Sequence, residues 1–383
     1  MHNCKDFPEK TDVVITCASG TEKVVKSELK RMGLPEGAAV NGAITIPGNA
    51  LTVASCNVNL RCADRVYVKV AQFTAITFDE LFEGTLHTEW ARYLPTDAAI
   101  AVTGKCVKST LFSVSACQSI VKKAVVESLK SAYRINTVAE DGALYRVEFW
   151  VFKDQVTLLI NTSGAGLHKR GYRDLVGIAP LKETLASSLL LLSDYYWQRP
   201  FADPFCGSGT LCIEAAHIAL NIAPGLNRDF DFASWRNFDK TAFALAKERA
   251  KDEEKRDRKI YISGSDVDGK AIKLAKRHAE RAGLKGIIDF TVKDVRYFEP
   301  QGKNGTIVTN PPYGERVYDV REAEECYANI GRIIRNYPDW SVFAITSAKS
   351  FEKCVKKRAD RERKLYNSNL ECKYYYYYGK KEK

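Results

Sequence analysis

The sequence predicts an α/β protein in two parts. Small α/β units run to about residue 164, and a larger, doubly wound and mostly parallel sheet follows to residue 383. Three observations predict this. From residue 200 onward, short β-branched apolar runs alternate with helical periodicity, the pattern of repeated βα units. The first of these units passes through Asp203-Pro204-Phe205-Cys206-Gly207-Ser208-Gly209-Thr210, a strand end, a glycine-rich turn and a helix start. A small, glycine-rich segment, Asn161-Thr162-Ser163-Gly164-Ala165-Gly166, separates that series from what precedes it.

Taken in order, residues 11–17 read as a strand, 21–32 as an amphipathic helix ended by Gly33, and 43–46 as a second strand. A second unit begins with a strand at 66–73, a helix at 79–90 and a strand at 98–106. Residues 115–133 then form a clear helix, with apolar positions at Ile120, Val121, Ala124, Val125 and Leu129. Residues 145–152 and 155–161 suit a hairpin around Lys153-Asp154. After the junction comes a basic stretch with an embedded aromatic, Leu167-His168-Lys169-Arg170-Gly171-Tyr172-Arg173. It suits either a clamp facing RNA or cofactor, or a solvated loop. Pro180 stands where helices start, and 181–192 is a strong helix.

The βα series then places a helix at 210–222, a strand at 259–265, a helix at 269–282, a strand at 287–292 and a strand at 305–309. A helix at 323–337 and a buried strand at 340–346 follow. Residues 362–367 and 370–378 can pair around Asn367-Ser368-Asn369. The run Tyr374–Tyr377, with Tyr378 after it, is expected to have one buried and one wet face. Lys251 to Lys259 reads as an exposed helix end.

Composition narrows the class. The longest apolar runs fall far short of a membrane span, and no signal peptide opens the chain. The 11 cysteines are scattered without a C-x-x-C pair, which argues against a disulfide framework or a zinc site and for a reducing cytoplasm. The formal charge is +11 and uneven: 18 Lys and Arg face 17 Asp and Glu before residue 165, and 40 face 30 after it. Such an excess favours a polyanion partner. The near-neutral first part would dock RNA by shape and a local basic patch, as duplex RNA is read.

The chemistry concentrates at strand ends. Gly207 and Gly209 let the backbone turn tightly and approach a ligand. The turn matches neither the dinucleotide fingerprint nor the triphosphate loop. Asp203 beside the glycines would repel a phosphate, so a cationic cofactor fits better. S-adenosylmethionine carries a sulfonium, an ammonium, a ribose diol and an adenine. Asp203 can face its amino-acid end, Asp266 its ribose and Asp294 its adenine amine. Each acid alone is also a good helix N-cap.

At the fourth strand end stands Asn310-Pro311-Pro312-Tyr313. The Asn oxygen is a neutral acceptor, and the prolines stiffen the loop and aim its carbonyls. The Tyr ring can stack on a flat base. The set suits an exocyclic amine on a planar base. Alone, it is also an ordinary strand-end turn.

These residues resemble a known family. Asp203 to Glu214 and Asn310-Pro311-Pro312-Tyr313-Gly314-Glu315-Arg316 look like the THUMP-containing RNA guanine-N2 methyltransferases, in particular the 23S rRNA part of the RlmL group. Gly166 to Tyr172 and Ala179-Pro180-Leu181-Lys182-Glu183 resemble that family's entry into the catalytic domain. The resemblance implies a ferredoxin-like region at 1–65, a THUMP RNA-binding domain at 66–164 and a class I, Rossmann-like methyltransferase domain at 165–383. It implies S-adenosylmethionine contacts from Asp203, Phe205, Cys206, Gly207, Ser208, Gly209, Thr210, Asp266, Val267, Asp268, Asp294, Val295 and Asn310. Catalysis would fall to Asn310, Pro311, Pro312 and Tyr313, with no metal. The partner implied is rRNA, with tRNA as the alternative. Two rivals remain: a nucleic-acid adenine-N6 methyltransferase, since the tetrapeptide suits that amine too, and a non-catalytic RNA-binding assembly protein.

Overall fold

The computed structural model describes residues 7–40, 42–174, 181–314 and 320–380. Pro180, Ala179, Glu315 and Arg316 lie outside the described residues. The chain divides into two compact units, neither contiguous in sequence. The first comprises residues 1–17, 26–167 and 228–250, and the second comprises 18–25, 168–227 and 251–383.

The elements up to residue 161 are β1 (Thr11–Cys17), α1 (Glu22–Arg31), β2 (Ala38–Val40), β3 (Ala43–Gly48), α2 (Ala50–Asn59), β4 (Ala63–Thr74), α3 (Phe78–Leu86), β5 (Ala99–Val107), α4 (Val114–Tyr133), β6 (Leu144–Phe152) and β7 (Gln155–Asn161). All seven strands form one sheet in the order β2-β3-β1-β4-β7-β6-β5. The sequence suggests two separate units here. β4 joins them, because its 12 residues pair with β1 on one side and β7 on the other. The hairpin at Lys153-Asp154 forms as expected, with both residues at positive φ. α2 was not foreseen. Its β-branched, apolar sequence hides the helical signal, although Asn49 caps it by accepting from the Thr52 amide.

The later elements are α5 (Glu183–Leu192), β8 (Phe201–Asp203), α6 (Thr210–Ala219), α7 (Lys240–Asp252), β9 (Ile262–Asp266), α8 (Gly269–Arg281), β10 (Ile288–Val292), β11 (Thr306–Thr309), α9 (Val320–Asn336), β12 (Ser341–Thr346), α10 (Phe351–Val355), β13 (Arg361–Asn367) and β14 (Leu370–Tyr377). The second sheet runs β10-β9-β8-β11-β12-β14-β13. Its first five strands are parallel and β14 is antiparallel to both neighbours. This is the doubly wound sheet the sequence predicts. The strand order reverses between β8 and β11, and ligands of such sheets bind outside the carboxyl ends at that point.

The tyrosine run departs from expectation. Tyr374, Tyr375, Tyr376 and Tyr377 are all buried, and only Tyr378 is exposed. Helices pack on both sides of the sheet, so both faces of β14 are covered. Tyr374 and Tyr376 join the core around α5 and α6, while Tyr375 and Tyr377 join the core around α9 and α10. Alternation predicts a wet face only for a sheet with one open side.

Residues 228–250 follow α6 in sequence but belong to the first unit. Trp235 stacks on Tyr145 at 4.5 Å and its indole N–H donates to the Leu144 carbonyl. α7 ends at Asp252 as the exposed stretch from Lys251 begins, so the expected helix end is confined to residues 251–252 and 253–259 continue outside the helix.

Candidate active site

β8 is buried along its whole length and ends in Asp203. The Asp203 carboxylate accepts from the Phe205 amide at 3.1 Å and from the Thr309 hydroxyl at 2.7 Å. Thr309 is the last residue of β11, so this acid links the two strands at the reversal point. It is 1% exposed. Burial, helped by the nearby Asp266 charge, pushes its pKa up to about 7 despite those two hydrogen bonds.

The turn that follows is braced from below. The Cys206 amide donates to the Ser265 carbonyl, and the Gly207 amide donates to Asp266 at 2.9 Å. The other Asp266 oxygen accepts from the Asp268 amide at 3.0 Å. Burial raises the Asp266 pKa, and those amides oppose the rise. Gly207 and Gly209 have φ of +51° and +82°. A side chain at Gly207 would meet nothing within 4 Å, so the turn faces open space there. Cys206 and Thr210 are buried, while Phe205 and Ser208 are partly exposed.

One strand on, Asp268 caps α8 by accepting from the Lys270 amide. Val267 between the two acids is 56% exposed, an apolar side chain presented outward at a strand end. Beyond β10, Asp294 caps the short turn Val295–Tyr297 and is also gripped by the Arg296 guanidinium at 2.7 and 3.0 Å. Arg296 holds its carboxyl below the usual range. Val295 is buried. The structure therefore gathers Asp203, Asp266, Asp268 and Asp294 at successive carboxyl ends, and each accepts from nearby backbone amides as well.

Asn310 follows β11 directly. Its amide oxygen accepts from the Tyr313 hydroxyl at 2.6 Å. The Tyr313 ring is partly buried against the core of the second unit. The Pro312 carbonyl accepts from the Tyr327 hydroxyl at 2.6 Å. Tyr327 sits on α9, is 1% exposed and packs edge-on against Phe351. Neither Tyr327 nor Thr309 was singled out from sequence. Fourteen residues separate Tyr327 from Tyr313, and no spacing rule connects a mid-helix tyrosine to a proline carbonyl.

The basic stretch at 167–173 is not an RNA clamp built from its arginines. Arg170 is 5% exposed and lies 3.6 Å from Glu214, which also accepts from the Tyr172 and Ser187 hydroxyls. Arg173 pairs with Glu183 at 3.3 Å and reaches the Leu181 carbonyl and the Thr210 hydroxyl. Both arginines pin this segment to α5 and α6. Sequence shows the charges but not the buried acids that face them.

The family model of the RMKL-like methyltransferase domain matches residues 170–376, more than half of the chain. The RlmL ferredoxin-like domain matches 12–67 and the THUMP domain 75–161. The chain belongs to the RlmL-like, THUMP-containing RNA methyltransferases. Its fold is that family's: ferredoxin-like and THUMP domains followed by a Rossmann-like methyltransferase domain. YpsC of Bacillus subtilis, provisionally named an RNA methyltransferase, is 42% identical over 374 residues, 97% of each chain. A Listeria monocytogenes protein described as a predicted N6-adenine-specific DNA methylase has a solved structure at TM-score 0.92 and 44% identity. The match covers 97% of both chains. SMU.472, provisionally named a methyltransferase and solved with SAH, matches at TM-score 0.94 and 37% identity, over 98% of this chain and 100% of that one. The methyl donor of this RlmL-like enzyme is S-adenosylmethionine. Among the described residues, no helix is long and apolar enough to cross a membrane.

Proposed function

We propose that this cytoplasmic methyltransferase forms N2-methylguanosine in RNA, with 23S rRNA as its substrate. The observation that carries the reading is the Asn310 amide oxygen at the end of β11, beside the Asp203 end of β8 at the reversal point. A neutral oxygen there can accept a proton from an exocyclic amine. It has a second lone pair beyond the one Tyr313 uses.

The residues present fit S-adenosylmethionine. Gly207 leaves room for close approach, Asp203 offers a buried carboxylate to positive charge, and Val267 offers an apolar surface to an adenine face. In this reading Asp266 and Asp268 would accept from the ribose hydroxyls, and Asp294 from the adenine amine. Phe205, Cys206, Ser208, Gly209, Thr210 and Val295 would complete the cofactor's surroundings in this reading. The bound cofactor supplies a methyl group on a sulfonium, a good neutral leaving group.

The chain's own task is to prepare the amine, whose lone pair is delocalised into the base. Asn310 and the Pro311 carbonyl would hold its two protons out of the base plane and free that lone pair. Pro312 fixes the loop, and Tyr327 anchors it through the Pro312 carbonyl. The Tyr313 ring would stack on the base after leaving its present contact with Asn310. Such preorganised positioning is the site's main contribution. The base must be unstacked or unpaired to enter.

The same tetrapeptide suits an adenine N6 amine, and the description of the Listeria relative favours that second reading. The test is radiolabelled methyl transfer to rRNA and tRNA from a strain lacking the gene, followed by nucleoside identification. N2-methylguanosine in rRNA is expected. N2-methylguanosine in tRNA would move the substrate, and N6-methyladenosine would replace the reading.

A further inference from the structure

We propose that His278 on α8 is a positioning residue for the turn at 206–209: its imidazole holds the Ser208 carbonyl and thereby sets the affinity for S-adenosylmethionine. The proposal rests on the reading of that turn as part of the cofactor site, and adds a residue outside it that fixes its shape.

The turn enters α6 without a side-chain cap. Gly209 occupies the cap position and has no oxygen to offer the first amides of the helix. Its carbonyl opens the helical ladder by accepting from the Ile213 amide at 2.9 Å. The Ser208 carbonyl stands one residue before that ladder begins. Asp266 and the Ser265 carbonyl hold the Gly207 and Cys206 amides, but these oxygens cannot hold another oxygen. The donor comes from α8. His278 Nδ1 lies 3.2 Å from the Ser208 oxygen. A carbonyl only accepts, so Nδ1 carries the proton.

α8 is pressed against the turn at this level. A Cβ added to Gly209 would come within 3.0 Å of the Ala275 Cβ. Ala275 and His278 lie one helical turn apart on the buried face of α8. The His278 side chain is entirely buried, and the Tyr172 ring lies 6.3 Å from it, centre to centre. Its Nε2 has no hydrogen-bond partner among the described residues, and Asp174 stands 3.8 Å away. Asp174 is itself held by Arg277, and by Arg281 at 3.2 Å. Burial lowers the His278 pKa. The Arg173 and Arg277 charges add to that fall, while the Ser208 carbonyl and Asp174 oppose it. The imidazole is therefore neutral at physiological pH, with its single N–H committed to Ser208.

A carbonyl and the amide that follows it share one rigid peptide plane. Holding the Ser208 oxygen on one side therefore aims the Gly209 N–H on the other, and that N–H closes the turn by donating to the Cys206 carbonyl at 2.8 Å. Two glycines at positive φ give this turn many alternative conformations when it is not held. His278 removes that freedom before the cofactor arrives, so less ordering remains to oppose binding.

The test uses the full-length protein, titration calorimetry with S-adenosylmethionine and two substitutions of similar polarity. In His278→Asn the side-chain nitrogen can stand where Nδ1 stands. In His278→Gln it reaches past that point toward Asp174, leaving Ser208 without its donor. The Asn variant should bind within about threefold of wild type and the Gln variant about tenfold more weakly, the scale of one lost hydrogen bond. In methyl-transfer assays the Gln variant should raise KM for S-adenosylmethionine more than it lowers kcat. His278→Leu fills the space without a donor and should bind as weakly as the Gln variant. Equal affinity of the Asn and Gln variants, tighter binding by Gln than by Asn, or wild-type affinity in His278→Leu overturns the proposal. Asp266→Ala separates this inference from the reading it rests on. Weaker binding there, with the Asn and Gln variants alike, refutes only the role of His278. Wild-type binding in both Asp266→Ala and His278→Gln refutes the turn as cofactor site as well.

Discussion

At the ends of β8 and β9, side chains hold the backbone, whereas at the end of β11 the loop is held from elsewhere. Asp203 and Asp266 accept from amides of the very turn they flank, those of Phe205 and Gly207. That half of the site is built from short-range geometry around two glycines. The Asn310-Pro311-Pro312 loop has no N–H at its two prolines, so amides cannot brace it there. Its carbonyl and amide oxygens are instead met by hydroxyls of Tyr327 and Tyr313. The cofactor half should therefore respond to substitution in binding, and the amine half in turnover.

The largest break in that comparison is Asn310→Ala. It should leave S-adenosylmethionine affinity near wild type and lower single-turnover methyl transfer by about 10²-fold or more, the scale for a lost preorganised polar group. A rate within tenfold of wild type would remove Asn310 from the chemistry. Asp266→Ala should act on the other half, weakening S-adenosylmethionine binding by about 1–3 kcal/mol in titration calorimetry. Unchanged affinity in a folded variant would mean that Asp266 only braces the turn.

Tyr327→Phe sharpens the amine half, because it removes one hydroxyl from a buried ring. The expectation is a kcat about tenfold lower, with cofactor affinity unchanged, from a loop whose Pro312 carbonyl is no longer fixed. Equal kcat with a lower melting temperature would make Tyr327 purely structural.

The smallest effect concerns Asp203 and pH. Its folded pKa of about 7 lies above the ordinary value of 3.8. The ligand-free fold therefore holds that proton more tightly than the unfolded chain, and stability from this group is lost as pH rises from about 4 through 7. Cofactor binding should run the other way, since a cationic ligand favours the carboxylate. Affinity for S-adenosylmethionine is expected to be about tenfold weaker at pH 6 than at pH 8. Asp203→Asn, which keeps an oxygen for Thr309, should flatten that profile. An unaltered pH dependence in this variant would place the titrating group elsewhere.

The sequence by itself determined the doubly wound sheet and which acids, glycines and amides stand at the ends of its strands. Period-2 and period-3.6 patterns, the glycines at 207 and 209, and acids at successive strand ends are local features, and local features survive in a linear string. Tertiary structure decided what those side chains touch. Arg170 and Arg173 look like a basic surface until Glu214 and Glu183 arrive from helices many residues later. The tyrosines of β14 alternate like a half-wet strand until the core with α5 and α6 covers one face and the core with α9 and α10 the other. Residues 228–250 read as part of the catalytic half, yet Trp235 packs against Tyr145 in the first unit. Tyr327 becomes a loop anchor only because α9 folds back beneath Pro312. Burial and charge pairing depend on neighbours distant in sequence, and no periodicity along the chain encodes them.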